Sequence, residues 1–130
     1  MSLAELPPVD VLRAFEGFPP ETTKRLLAIR QVIYQTAETI AEVGPLTETL
    51  KWREPAYLTN APKTGTTIRL AQLSGQAAMM VPCSTTIIED ARARFGDLPA
   101  LQSKRGVLLD AEAQVIDYVI NAALTYHLRR

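Results

Sequence analysis

The stretch Leu50-Lys51-Trp52-Arg53-Glu54-Pro55-Ala56-Tyr57-Leu58 constrains the chain most, because its side chains alternate in character. A β-strand presents successive residues to opposite faces with a period of two. Leu50 and the single tryptophan, Trp52, then face one way, toward a core, while Thr49, Lys51 and Arg53 face the other. Pro55 has no amide hydrogen to give to a ladder, so a bend, a bulge or a sheet edge is expected there. Tyr57 resumes the extended run beyond it.

The same period continues downstream. Asn60 to Gly65 has the composition of a loop, and Thr66 to Leu73 reads as a strand with Thr66, Ile68 and Leu70 on one face and Thr67, Arg69 and Ala71 on the other. Ser74-Gly75 is a turn, and Gln76 to Val81 completes an antiparallel hairpin. Pro82 ends that strand. Lys104 to Leu109 is a last short strand candidate.

Helical spacing governs both ends of the chain. Asp10 to Glu16 reads as a short helix that Gly17 ends in a left-handed conformation. Pro20 suits the first position of a long helix reaching about Glu42, with Leu26, Ile29, Ile33, Ala37 and Ile40 on its apolar face and Gly44-Pro45 stopping it. Thr86-Ile87-Ile88-Glu89 fits a capping box for a helix over 87–95, closed by Gly96. Asp110 is placed to cap a final helix carrying Val115, Ile116, Val119, Ile120, Ala123 and Leu124. Helices at both ends of a strand run predict an α+β fold, an antiparallel sheet of about four to five strands with helices packed mainly on one face. At 130 residues, 47% of them hydrophobic, one domain over 1–130 is expected.

Fourteen basic and fourteen acidic residues cancel, so no long-range field favours nucleic acid or an anionic membrane. No apolar run approaches the roughly 18 residues of a membrane span, and Met1-Ser2-Leu3-Ala4-Glu5 has no basic region leading into an apolar core, so a cytoplasmic protein is expected. One cysteine excludes an internal disulfide, and one cysteine with one histidine cannot furnish a Cys/His zinc site. No resident cofactor is expected.

Thr49 to Thr59, followed by Gly65-Thr66-Thr67-Ile68-Arg69-Leu70, resembles the pattern of the YdhG-like family, small bacterial domains of unknown function. The resemblance runs from the region of Arg30 through Cys83-Ser84-Thr85-Thr86 to Arg105 and the closing helix. It implies a frataxin-like α+β sandwich, and one branch of the family is described as frataxin-like iron chaperones. It carries over no catalytic residues.

Two functions follow from the residues, and the resemblance implies another, intracellular iron delivery. The first is a non-catalytic module binding a small anion or a protein partner. Lys51, Arg53 and Arg69 then share a polar sheet face, with Tyr57 and Arg105 at its margin, where guanidinium groups can fork onto a carboxylate or phosphate. The plainer alternative pairs those cations with Glu48 and Glu54 in a solvated network worth little. The second is intracellular iron delivery, for which the carboxylates Asp10, Glu16 and Glu21 are sparse and scattered. The third is a cysteine-dependent enzyme built on Cys83, a thiol just ahead of a helix start, with His127 the single histidine to assist it. A homodimer through an uncovered sheet edge or the polar face is a further expectation.

Overall fold

The computed structural model describes residues 5–60 and 62–128. Residues 1–4 and Ala61, which enter the readings of the amino terminus and of the Asn60–Gly65 loop, lie outside them. Two helices open the fold, α1 (Val9–Glu16) and α2 (Pro20–Glu38). Two hairpins follow, β1 (Leu46–Lys51) with β2 (Glu54–Thr59), and β3 (Ile68–Leu73) with β4 (Gln76–Met80). Helix α3 (Ile87–Phe95), short strands β5 (Leu101–Gln102) and β6 (Gly106–Leu108), and helix α4 (Ala113–Leu124) complete it. All pairings are antiparallel, in the order β1-β2-β3-β4-β6-β5.

The α+β class is as expected, but the sheet has six strands rather than four to five. The additional strand, β5, has two residues and no periodicity to announce it. It exists because Arg92 of α3 donates to the carbonyls of Leu101 (3.1 Å) and Ser103 (2.6 Å), holding a hairpin whose turn includes Ser103 at φ 55°. The run expected over 104–109 is a strand only at Gly106–Leu108.

Strand parity decides which face is covered. Ile68 and Leu70 of β3 enter a core with Tyr57, Ala77, Met79 and Val107 from the sheet and apolar residues of all four helices. Gln72, of the same parity, donates to Thr22 Oγ1 on α2 at 3.2 Å. Burying each core Leu, Ile or Val contributes about 1.5–3 kcal/mol, so this layer holds the fold. The opposite face carries only a small patch of Ala71, Ala78, Met80 and Leu108. Arg69 belongs to that second face, since its Cα partners are Ala56 and Met80.

Several helix boundaries differ from expectation for local reasons. Gly17 sits at φ −75°, right-handed, so α1 ends without the left-handed cap. Helix α2 stops at Glu38, short of Gly44-Pro45: the β-branched pair Thr39-Ile40 follows, and the Thr39 hydroxyl donates to the Thr36 carbonyl at 2.7 Å, favouring tight turns over another helical turn. Thr86 precedes α3, but its hydroxyl bonds the Asp90 carboxylate at 2.9 Å rather than a helix amide. Glu112, not Asp110, occupies the residue before α4.

Candidate functional site

The β1-β2 hairpin closes with Lys51 opposite Glu54, leaving Trp52 and Arg53 as a two-residue turn, both at positive φ (54° and 63°). This mirror-image geometry matches the twist of the flanking strands, which is why such turns favour Asn-Gly. The β3-β4 hairpin meets the same demand conventionally with Ser74 and Gly75. A Trp-Arg pair instead places side chains where a Cβ crowds the following carbonyl, at about 1–2 kcal/mol per residue. Burial does not compensate, because Trp52 is 83% exposed. The expectation of a core Trp52 is thus corrected: the alternation ends at Lys51, where the chain turns.

Lys51, Trp52, Thr67, Arg69 and Pro82 line a groove of about 280 Å³ on the face the helices leave bare. Lys51 and Arg69 therefore meet at one groove, although β2 lies between their strands. The intervening strand supplies Glu54, whose Oε1 forms an ion pair with Arg69 Nη1. The groove thus holds an indole in water, an exposed ammonium, a hydroxyl and a half-buried guanidinium tethered to one carboxylate.

Other expected site residues lie elsewhere. Arg53 is exposed in the turn and does not line the groove. Tyr57 is fully buried on the helix-facing side, because its parity matches Glu48, its partner across the β1-β2 ladder. Arg105 is exposed between β5 and β6, where its carbonyl accepts the Val81 amide at 2.8 Å. Cys83 is exposed ahead of α3. His127, its expected assistant, instead lines a cleft with Asn60, Lys63 and Thr66. Among the described residues no three His, Cys, Asp or Glu side chains gather to hold a metal ion.

A second constellation falls outside every expectation drawn from the sequence. Arg30 of α2 forks onto Glu48 of β1, Nε to Oε2 at 2.6 Å and Nη2 to Oε1 at 2.8 Å, and Nη2 also donates to the Glu5 carbonyl at 2.5 Å. Tyr57 donates to Glu48 Oε2 at 2.7 Å, and the Tyr34 ring lies 5.0 Å from the guanidinium. The two charged side chains are only 5% and 7% exposed. Glu48 is thus no solvated partner of Lys51 and Arg53. A signal is present in the sequence: Arg30 interrupts the apolar stripe of Leu26, Ile33 and Ala37, and Glu48 sits between Leu46 and Leu50 on one strand face. Two opposite charges on two apolar faces imply a buried pair.

The pair raises the Arg30 pKa through its bond to Glu48. Burial, reinforced by the Glu48 charge, pushes Tyr34 up to about 12. Burial and the hydrogen bond to Glu48 drive Tyr57 well above the usual tyrosine value. The sign follows from linkage: phenols whose folded pKa is raised contribute stability that is complete below about pH 10 and is lost as pH rises toward and past 12. Alkaline unfolding should therefore begin above about pH 10, with Tyr34 and Tyr57 ionising only as the fold is lost. Tyrosinate absorbance, assigned with Tyr34→Phe and Tyr57→Phe, checks this. Ionisation of either near pH 10 in a chain with a native circular dichroism spectrum would contradict it.

No family model, curated protein or solved structure matches this chain. Among the described residues no helix is long and apolar enough to cross a membrane.

Proposed function

We propose that the chain is a non-catalytic binding module that takes a small anion bearing a flat apolar group, in the groove between Trp52 and Arg69. The frame is the frataxin-like, YdhG-like architecture implied by the resemblance, with helices on one sheet face and the ligand on the other. The observation that carries the proposal is Trp52, a large apolar side chain held in water on a backbone that disfavours it. Backbone strain concentrates at ligand clamps and active sites. An indole face gains most by stacking against a flat partner.

The charges set the sign of the ligand. Lys51 and Arg69 contribute two positive charges and Glu54 one negative, so the groove best matches a single negative charge. A carboxylate reaching Arg69 competes with Glu54 for the guanidinium, and a bidentate contact is the strong form of such a bond. At about 280 Å³ the groove lies at the small end of ligand clefts, suiting a small aromatic carboxylate.

Competition gives the test an unusual sign. Arg69→Ala should abolish the thermal stabilisation produced by small aromatic carboxylates. Glu54→Gln should strengthen binding by up to about fivefold, because it frees the guanidinium from a native ion pair worth no more than about 1 kcal/mol. Thermal-shift titration of the three proteins reads both effects. Glu54→Gln weakening binding as Arg69→Ala does would make the pair merely structural, and no stabilisation of the wild type by any such anion would dispose of the site.

A further inference from the structure

Strand β1 ends the sheet on one side, and among the described residues its only strand partner is β2. Its six residues pair in continuous register, with no proline and no bulge. The opposite edge, β5, is blunted by its length of two residues. A regular, unblocked edge is a template for another strand, and folds ordinarily protect such edges.

The two ends of β1 carry opposite charge. Arg53 is exposed in the turn just beyond its carboxyl-terminal end, while Lys51 points to the bare face and takes no part in the match. At its amino-terminal end a cleft of about 560 Å³ is lined by Glu5, Leu6, Pro8, Tyr34, Glu38 and Leu46 and by the Arg30–Glu48 pair, whose charges cancel, which leaves the exposed Glu5 and Glu38 carboxylates to set its sign. Leu6, at that cleft, is 87% exposed, an apolar side chain without cover. An antiparallel strand laid on the edge reverses these polarities. A second copy of β1 therefore brings its basic end to this acidic cleft, and the two-fold axis repeats the match at the other end.

We infer that the chain self-associates through β1, two copies pairing edge to edge about an axis perpendicular to the sheet. The result joins two six-stranded sheets into one continuous antiparallel sheet with both helical layers on the same side. Main-chain hydrogen bonds supply the general attraction and the charged ends fix direction and partner, as in other strand additions. The groove on the bare face takes no part, so this inference stands apart from the ligand proposal.

The symmetry supplies a discriminating test by sedimentation without ligand. The wild type should dimerise, and Arg53→Glu and Glu38→Arg should each weaken self-association at least about tenfold, since like charges then meet at both ends. An equimolar mixture of the two variants should recover it. In the mixed pair the carboxylate introduced by Arg53→Glu faces the guanidinium introduced by Glu38→Arg, and at the other end the unmodified Glu38 of one chain faces the unmodified Arg53 of its partner. A monomeric wild type at every attainable concentration, single variants that dimerise undiminished, or a mixture no more associated than its components would each overturn the inference.

Discussion

Glu48→Ala should cost about 3–5 kcal/mol, enough to leave a domain of ordinary stability barely folded. The substitution strands a guanidinium only 5% exposed, with the Glu5 carbonyl as its remaining acceptor, and deprives the buried Tyr57 hydroxyl of its acceptor. A buried charge without its counter-charge carries its full desolvation cost, so the loss exceeds what the pair contributes when intact. The comparison is the triple change Arg30→Met, Glu48→Leu, Tyr57→Phe, which removes both charges and the orphaned hydroxyl together. Urea unfolding should show it more stable than Glu48→Ala by over half the loss, a non-additivity expected of contacting groups. If the triple variant is the less stable of the two, the cluster stabilises the fold in its own right and the desolvation reasoning fails.

Gly65→Ala should be of similar severity for a different reason. The loop from β2 to β3 crosses the end of α4, where the last carbonyls have no partner within the helix. Thr66 donates its amide to the Ala123 carbonyl at 2.8 Å, the Thr64 hydroxyl donates to the Leu124 carbonyl at 2.9 Å, and the His127 amide donates back to the Thr64 carbonyl at 2.9 Å. That contact requires a residue without a Cβ. A methyl at Gly65 would overlap the Ala123 carbonyl oxygen and sit 2.5 Å from the carbonyl carbon and oxygen of Leu124. These are backbone atoms, which cannot swing aside, so the loop must lift and release its hydrogen bonds. A loss of about 3 kcal/mol is expected, lowering the melting temperature by roughly 10 °C. A melting temperature within a degree or two of wild type would show that the loop does not rest on α4.

Structure is legible in this sequence where one period runs long enough to outweigh local exceptions. Helix α3 can be read to its end residues, and the β3-β4 hairpin carries both alternation and a turn pair, Ser74-Gly75, suited to its φ angles. Legibility ends where tertiary contacts override the pattern. Trp52 extends an alternating run, so nothing local marks the reversal, and the turn contains none of the residues that ordinarily adopt positive φ. Strand β5 is too short to have a period and depends on a side chain of α3. Arg30 and Glu48 lie 18 positions apart on different elements, and each looks like an ordinary surface charge although each interrupts an apolar face.

The candidate site is half legible for the same reason. Parity places Lys51 and Arg69 on the bare face, and the groove joins them. Parity also argues against Tyr57, whose position in β2 alternates with Glu54 and Ala56 rather than agreeing with them. The most informative group, Trp52, is hidden as a site residue because its aromatic bulk favours a core assignment.

That residue also supplies the most direct test, since the chain holds no other tryptophan. Its emission in the free protein should be that of an indole in water, and titration with small aromatic carboxylates should quench or blue-shift it saturably, in Glu54→Gln at lower concentration and in Arg69→Ala not at all. Emission already typical of a buried indole, or a response that Arg69→Ala leaves unchanged, would contradict a ligand groove between Trp52 and Arg69.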